Sequence, residues 1–237
     1  MTSYKIQTAI DQDDLAHKAN QIIASHIDLA LDERERAQIA FSGGSTPEKT
    51  YELLGKEHLP WDRVDLFLGD ERWVDENDKA SNAAMIRRTL LSSGPGSSCC
   101  FHVVPTVQFS SSSKSAEALS EQLKIVCSGN PPVFDVILLG LGDDGHTASL
   151  FPESDALNIK DNWTAVTRAK GHERITLTAP VLSAARKVIF LVSGPSKQLA
   201  LKRLIDRSEP FQRTPARLVK PNSEILILAD ESACSLL

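Results

Sequence analysis

The sequence predicts an α/β fold, a mostly parallel sheet with helices on both faces. Short unbroken apolar runs at 37–41, 64–68, 136–139, 187–192 and 225–228 have the length and continuity of strands buried on both sides. Segments with helical spacing lie between them, and that alternation is the signature of parallel strands joined by crossover helices. Glycines, hydroxyls and charges gather where the apolar runs end. In open α/β sheets that edge is where ligands bind.

The elements follow in order. Leu15, Ala19, Ile22, Ile23 and Ile27 recur at helical spacing over 11–31, and Asp11 or Asp13 is placed to cap the start. After the 37–41 strand, Thr46 is the expected N-cap and Pro47 the first residue of a helix running to Leu54. The 64–68 strand ends at Gly69-Asp70-Glu71-Arg72. Residues 81–92 and 115–127 read as helices. Loops at 92–98 and 110–113 bracket a short strand near 101–104. Two more strands are expected at 164–168 and 174–178. The 187–192 strand leads through Ser193-Gly194-Pro195-Ser196-Lys197 into a helix ending near Ile205.

The 237 residues, 41% of them hydrophobic, suffice for a sizeable core. No repeat or low-complexity linker divides them, so one domain over 1–237 is expected. The formal net charge of −5 provides no global field toward nucleic acid or anionic membranes. An anionic ligand must then be held by local cations and backbone dipoles. The start, MTSYKIQTAI, lacks a signal-peptide core. No apolar run approaches the roughly 20 residues that span a bilayer. Cys99, Cys100, Cys127 and Cys234 show no C-x-x-C spacing and read as reduced thiols in a cytoplasmic protein.

Four constellations stand at strand ends. Ser42-Gly43-Gly44-Ser45-Thr46-Pro47 is either a tight turn before a capped helix or an anion site of free amides and hydroxyls at Gly43, Gly44, Ser45 and Thr46. It lacks P-loop spacing. Local pattern reads Asp70-Glu71-Arg72 as a solvated loop; the functional alternative aims an arginine and an acid into the crevice. Arg174 and Lys197 each resemble an ordinary surface charge, yet together with the Ser/Thr turn they would neutralise one phosphate.

The fourth constellation, Gly140-Leu141-Gly142-Asp143-Asp144-Gly145-His146, places a titratable imidazole beside carboxylates at a strand end. That position favours a catalytic histidine over a structural one. The G-x-G-x-x-G match is not a dinucleotide site. Asp143 and Asp144 would repel a pyrophosphate, Pro152 leaves little room for a long helix, and no strand end about 20 residues on carries the acidic partner. There is no G-x-S-x-G nucleophile elbow and no H-E-x-x-H motif, and the six histidines show no zinc spacing.

In order, SGGSTP, GDERWV, GLGDDGHTASLFP, ERITLT and SGPSK resemble the 6-phosphogluconolactonases, a family within the superfamily that includes glucosamine-6-phosphate deaminases. The resemblance covers nearly the whole chain. It implies a modified Rossmann-like sandwich and a cytoplasmic hydrolase without cofactor or metal that opens 6-phospho-D-glucono-1,5-lactone. It also implies a small sugar-phosphate lactone as partner, with the chain a monomer or weak homo-oligomer. The deaminases are similar but carry a glutamate just before the proline of the histidine segment, where this chain has Phe151, and a tyrosine where it has Arg72. A sugar-phosphate-binding protein without turnover is the non-enzymatic alternative. On the lactonase reading His146 is the base that activates water, and Asp144 or Asp70 orients it. Arg72 contributes to substrate binding, and Ser45, Thr46, Arg174 and Lys197 hold the phosphate.

Overall fold

The computed structural model describes residues 2–237. In chain order the elements are β1 (Tyr4–Ala9), α1 (Gln12–Glu33), β2 (Ala37–Phe41), α2 (Glu48–Leu54), β3 (Val64–Leu68), β4 (Asp70–Arg72) and α3 (Asn82–Arg88). Next come β5 (Cys100–Phe101), α4 (Ser112–Val126), β6 (Val136–Gly140), β7 (Thr164–Ala169) and β8 (His172–Leu177). The chain ends with α5 (Ala179–Ala184), β9 (Lys187–Val192), α6 (Gln198–Ile205), β10 (Ile225–Asp230) and α7 (Glu231–Cys234).

Seven strands form the main sheet in the order β1-β10-β9-β6-β2-β3-β5, and every pairing in it is parallel. β3 and β10 are buried at every position. Successive strand residues point to opposite faces, so both faces of this sheet are covered. α1 packs along β1, β2, β6 and β10. One hydrophobic cluster runs from Ala9 to Ala233 and takes in all the central strands.

The mostly parallel sheet is therefore present, with one departure. The strands expected at 164–168 and 174–178 do not join it; β7 and β8 pair antiparallel with each other and with β4 in a separate three-stranded sheet. The cause is local. Lys170 (φ 51°) and Gly171 (φ 82°) make a two-residue turn with both φ positive, which matches the twist of a tight hairpin. Gly69 ends β3, and β4 peels away to pair with β8. Asp70 and Glu71 are thus buried strand residues, not a solvated loop.

Helix starts diverge in the same informative way. Asp11 caps α1, accepting from the Asp14 amide at 2.8 Å. Thr46 caps nothing: α2 begins at Glu48, after Pro47 in helical geometry with no side-chain cap. The Thr46 hydroxyl is left for other work. β1 was not visible as an apolar run because it is an edge strand with Lys5, Ile6 and Thr8 exposed.

At the N-terminal ends of the strands a charged network closes on itself. Arg36 grips Asp65 with Nε at 2.7 Å and Nη2 at 2.9 Å. His102 Nε2 bonds Asp65 at 2.9 Å, and Gln122 meets His102 Nδ1 at 3.3 Å. Burial alone would raise the Asp65 carboxyl, but His102 and Arg36 outweigh it and hold it well below the usual range.

Candidate active site

The opposite, C-terminal ends of β2, β6 and β9 open into a cleft of about 420 Å³. Nine of the residues singled out above line it: Gly43, Gly44, Ser45, Thr46, Asp70, Arg72, His146, Arg174 and Lys197. Asp144 stands behind the imidazole.

The turn after β6 is built around His146. The Gly142 amide donates to the His146 carbonyl at 2.8 Å, and the Gly145 amide donates back to Gly142 at 2.9 Å. A Cβ on Gly142 would lie 2.0 Å from His146 Nδ1, so the ring rests directly on the glycine backbone. No helix follows; the segment continues as turns to Ser154, which is incompatible with a pyrophosphate at a helix start.

His146 Nδ1 pairs with Asp144 Oδ1, and the His146 amide donates to the same oxygen at 3.1 Å. Burial pushes the Asp144 carboxyl up, but the hydrogen bonds and charge of His146 prevail and hold it at about 2. The ring stacks on Phe151, centroids 4.3 Å apart at 30°. Nε2 has no protein partner among the described residues, and the side chain opens on the cleft.

Asp70 does not orient the imidazole. Its Oδ2 accepts from Ser149 Oγ at 2.5 Å and lies 3.5 Å from Arg174 Nη1. The two carboxylates left open by the sequence take different partners: Asp144 contacts His146, and Asp70 contacts Arg174. Arg174 also sits 5.4 Å from the Phe151 ring centroid. Burial, ahead of the charge of Asp70, shifts its guanidinium downward, but an arginine remains cationic in any case.

Across the cleft the Ser42–Thr46 turn offers backbone donors. The amides of Gly44, Ser45 and Thr46 have no protein acceptor among the described residues. Ser42 Oγ and Arg72 Nε are buried there without a partner, a state native proteins seldom leave uncompensated. Lys197, half-buried in a turn after Gly194 (φ 95°), forms no ion pair among the described residues. Asp230 anchors that turn by accepting from Ser193 Oγ at 2.5 Å and the Gly194 amide at 3.0 Å. Three cations thus face one lining carboxylate, in a chain of net charge −5. No cluster of three His, Cys, Asp or Glu side chains arranged to hold a metal ion occurs among the described residues.

Sequence reasoning passed over Ser42, Ser149, Ser193 and Ser196. Serines at 193 and 196 precede the lysine in the quoted SGPSK motif, their only signal. Ser149 had none, because its partner Asp70 lies 79 residues away.

Known proteins share this arrangement of chain and fold. The family model described as glucosamine-6-phosphate isomerases/6-phosphogluconolactonase matches residues 10–228. The 6-phosphogluconolactonase of Synechocystis sp. is 38% identical over 232 residues, 97% of this chain and 96% of that one. The solved structure of 6-phosphogluconolactonase from Trypanosoma brucei superposes with a TM-score of 0.87 at 28% identity, covering 100% of both chains. That from Shewanella baltica gives a TM-score of 0.86, also at 28% identity, over 97% of this chain and 98% of the other. A family model matched over residues 10–228 and a relative 38% identical over nearly the whole of both chains place this chain in the glucosamine-6-phosphate isomerase/6-phosphogluconolactonase family.

Proposed function

We propose that this chain hydrolyses 6-phospho-D-glucono-1,5-lactone to 6-phospho-D-gluconate, the second step of the oxidative pentose phosphate pathway. The observation that carries the reading is the free Nε2 of His146, held by Asp144 on its other nitrogen, across one cleft from Arg174, Lys197 and the Ser42–Thr46 amides. The names of the relatives that match nearly the whole chain support it.

A lactone is an activated ester and needs no covalent intermediate. His146 Nε2 takes a proton from a water as its oxygen adds to C1. Asp144 fixes the tautomer with Nδ1 protonated and stabilises the imidazolium that forms. The tetrahedral intermediate collapses with cleavage of the bond from C1 to the ring oxygen, and the imidazolium returns the proton to that oxygen. The substrate phosphate lies against the amides and hydroxyls of the Ser42–Thr46 turn, with Arg174 and Lys197 neutralising it. Arg72, whose Nε is unpartnered, binds the substrate as well. Phe151 stacks on His146 where the deaminase pattern has a carboxylate, which favours ester hydrolysis over deamination.

The chain acts as one domain over 1–237, as a monomer or weak homo-oligomer in the cytoplasm. All four cysteines are free, which supports a reducing compartment. No helix among the described residues is long and apolar enough to cross a membrane.

The test is acid release from the phosphorylated lactone at low protein concentration, with spontaneous ring opening subtracted. Turnover above that background, with preference over unphosphorylated gluconolactone, is the expected result. Binding of 6-phosphogluconate without turnover, or ammonia release from glucosamine 6-phosphate, would replace the reading.

A further inference from the structure

Glu71 and Asn82 touch no part of the reaction described above, yet both are almost wholly buried beside it, each 1% exposed. Glu71 is a buried carboxylate committed to four donors. It accepts from the Arg72 amide at 2.8 Å, the Asn82 and Ala83 amides at 2.7 Å each, and Ser81 Oγ at 3.1 Å. It therefore ties β4 to the first turn of α3, where a negative charge complements the free amides. Asn82, the first residue of α3, donates Nδ2 to the Asp70 carbonyl at 2.8 Å.

The remaining face of the Asn82 amide group lies against Gly43. A Cβ on Gly43 would fall 1.9 Å from Asn82 Oδ1, 2.3 Å from Cγ and 2.6 Å from Nδ2. Gly43 does not have a left-handed φ, so its backbone would accept a side chain. The nearest obstruction is Asn82. The Ser42–Thr46 turn is thus seated on a side chain from α3, at a distance only glycine allows.

We propose that Glu71 and Asn82 are positioning residues: they form a brace that sets the Ser42–Thr46 turn relative to β4, and so fixes the gap in which the substrate's anionic group is held. This rests on the reading that the turn holds the substrate phosphate. An error of about 1 Å in such a gap is enough to cost on the order of 100-fold.

The test is kcat and KM for the phosphorylated lactone in Gly43→Ala, Asn82→Ala and the double variant. Gly43→Ala raises KM at least about tenfold, because the new methyl drives the turn off Asn82. Asn82→Ala alone raises KM severalfold with kcat little changed. The double variant has a lower KM than Gly43→Ala, since truncating Asn82 removes the obstruction; a merely structural role for either residue would give additive damage instead. A KM for the double variant equal to the product of the single effects overturns the brace while leaving the phosphate role of the turn standing. An unchanged KM in Gly43→Ala overturns both. If Gly43→Ala yields no soluble protein, Asn82→Asp decides. It keeps the shape but removes the donor to Asp70 and sets a carboxylate under the anion, so an unchanged KM there ends the proposal.

Discussion

Two histidines in this protein each pair with an aspartate through one ring nitrogen and stack on a phenylalanine, and part company at the other nitrogen. His102, at the N-terminal end of the sheet, pairs with Asp65 and stacks on Phe67 at 4.5 Å. His146, at the C-terminal end, pairs with Asp144 and stacks on Phe151 at 4.3 Å. The second ring nitrogen separates them. In His102 it meets Gln122, and the network around Asp65 closes on Arg36 and Gln38. In His146 it faces a cleft containing unpartnered Ser42 Oγ and Arg72 Nε. An aspartate beside a histidine is therefore no mark of catalysis. What distinguishes the two is the second ring nitrogen, bonded within the protein in His102 and open to a cleft in His146.

The contrast breaks most sharply at the two rings. His146→Ala should lower kcat about 10²–10⁴-fold, the usual worth of a general base, with a smaller change in KM. His102→Ala should leave kcat near wild type and instead lower the urea midpoint, because a buried partner of Asp65 is lost. Near-normal turnover in the first variant, or collapsed turnover in the second, would erase the distinction.

The cations of the open end come next. Arg174→Ala and Lys197→Ala should each raise KM for the phosphorylated lactone about 10–100-fold, from charge-assisted bonds worth about 1.5–3 kcal/mol. Steady-state kinetics on phosphorylated and unphosphorylated lactone measure this. If both substrates suffer equally, these residues do not hold the phosphate.

The smallest effect sharpens the closed end. Asp65 is 3% exposed and its carboxyl is held below the ordinary 3.8. A depressed carboxyl stabilises the fold above its unfolded value, and that contribution fades as pH falls below about 4. Asp65→Asn should therefore cost about 1.5–3 kcal/mol at neutral pH and less at pH 3, with kcat unchanged. Urea unfolding at the two pH values checks it; a constant difference would mean that the charge of Asp65 contributes nothing.

The central strands were readable because burial on both faces leaves an unbroken apolar run, as in Val64–Leu68 and Val136–Leu139. β1 was not, being an edge strand half open to solvent. Asp70 and Glu71 looked solvated because consecutive charges usually are; what buries them is Ser149 and Arg174, distant in sequence, together with the start of α3. The choice between Asp70 and Asp144 turned on which side chain reaches Nδ1, and only the fold of the Gly142–His146 turn fixes that. The antiparallel pairing of β7 and β8 was foreshadowed only by Lys170-Gly171, two residues whose twist sets strand direction.

The small antiparallel sheet has a consequence for redesign. The turn that carries His146 is rooted in the parallel core, as are the Ser42–Thr46 turn and Lys197, whereas Arg174, Arg72 and Asp70 arrive on the antiparallel sheet, which packs against α4 and meets the end of β3 at Gly69. Two of the three cleft cations are therefore mounted apart from the imidazole. Rebuilding β8 for a lactone with another anionic tail would also reach the imidazole's cradle, because Thr176 accepts from the Ser149 amide and Arg174 lies over Phe151, the ring on which His146 stacks.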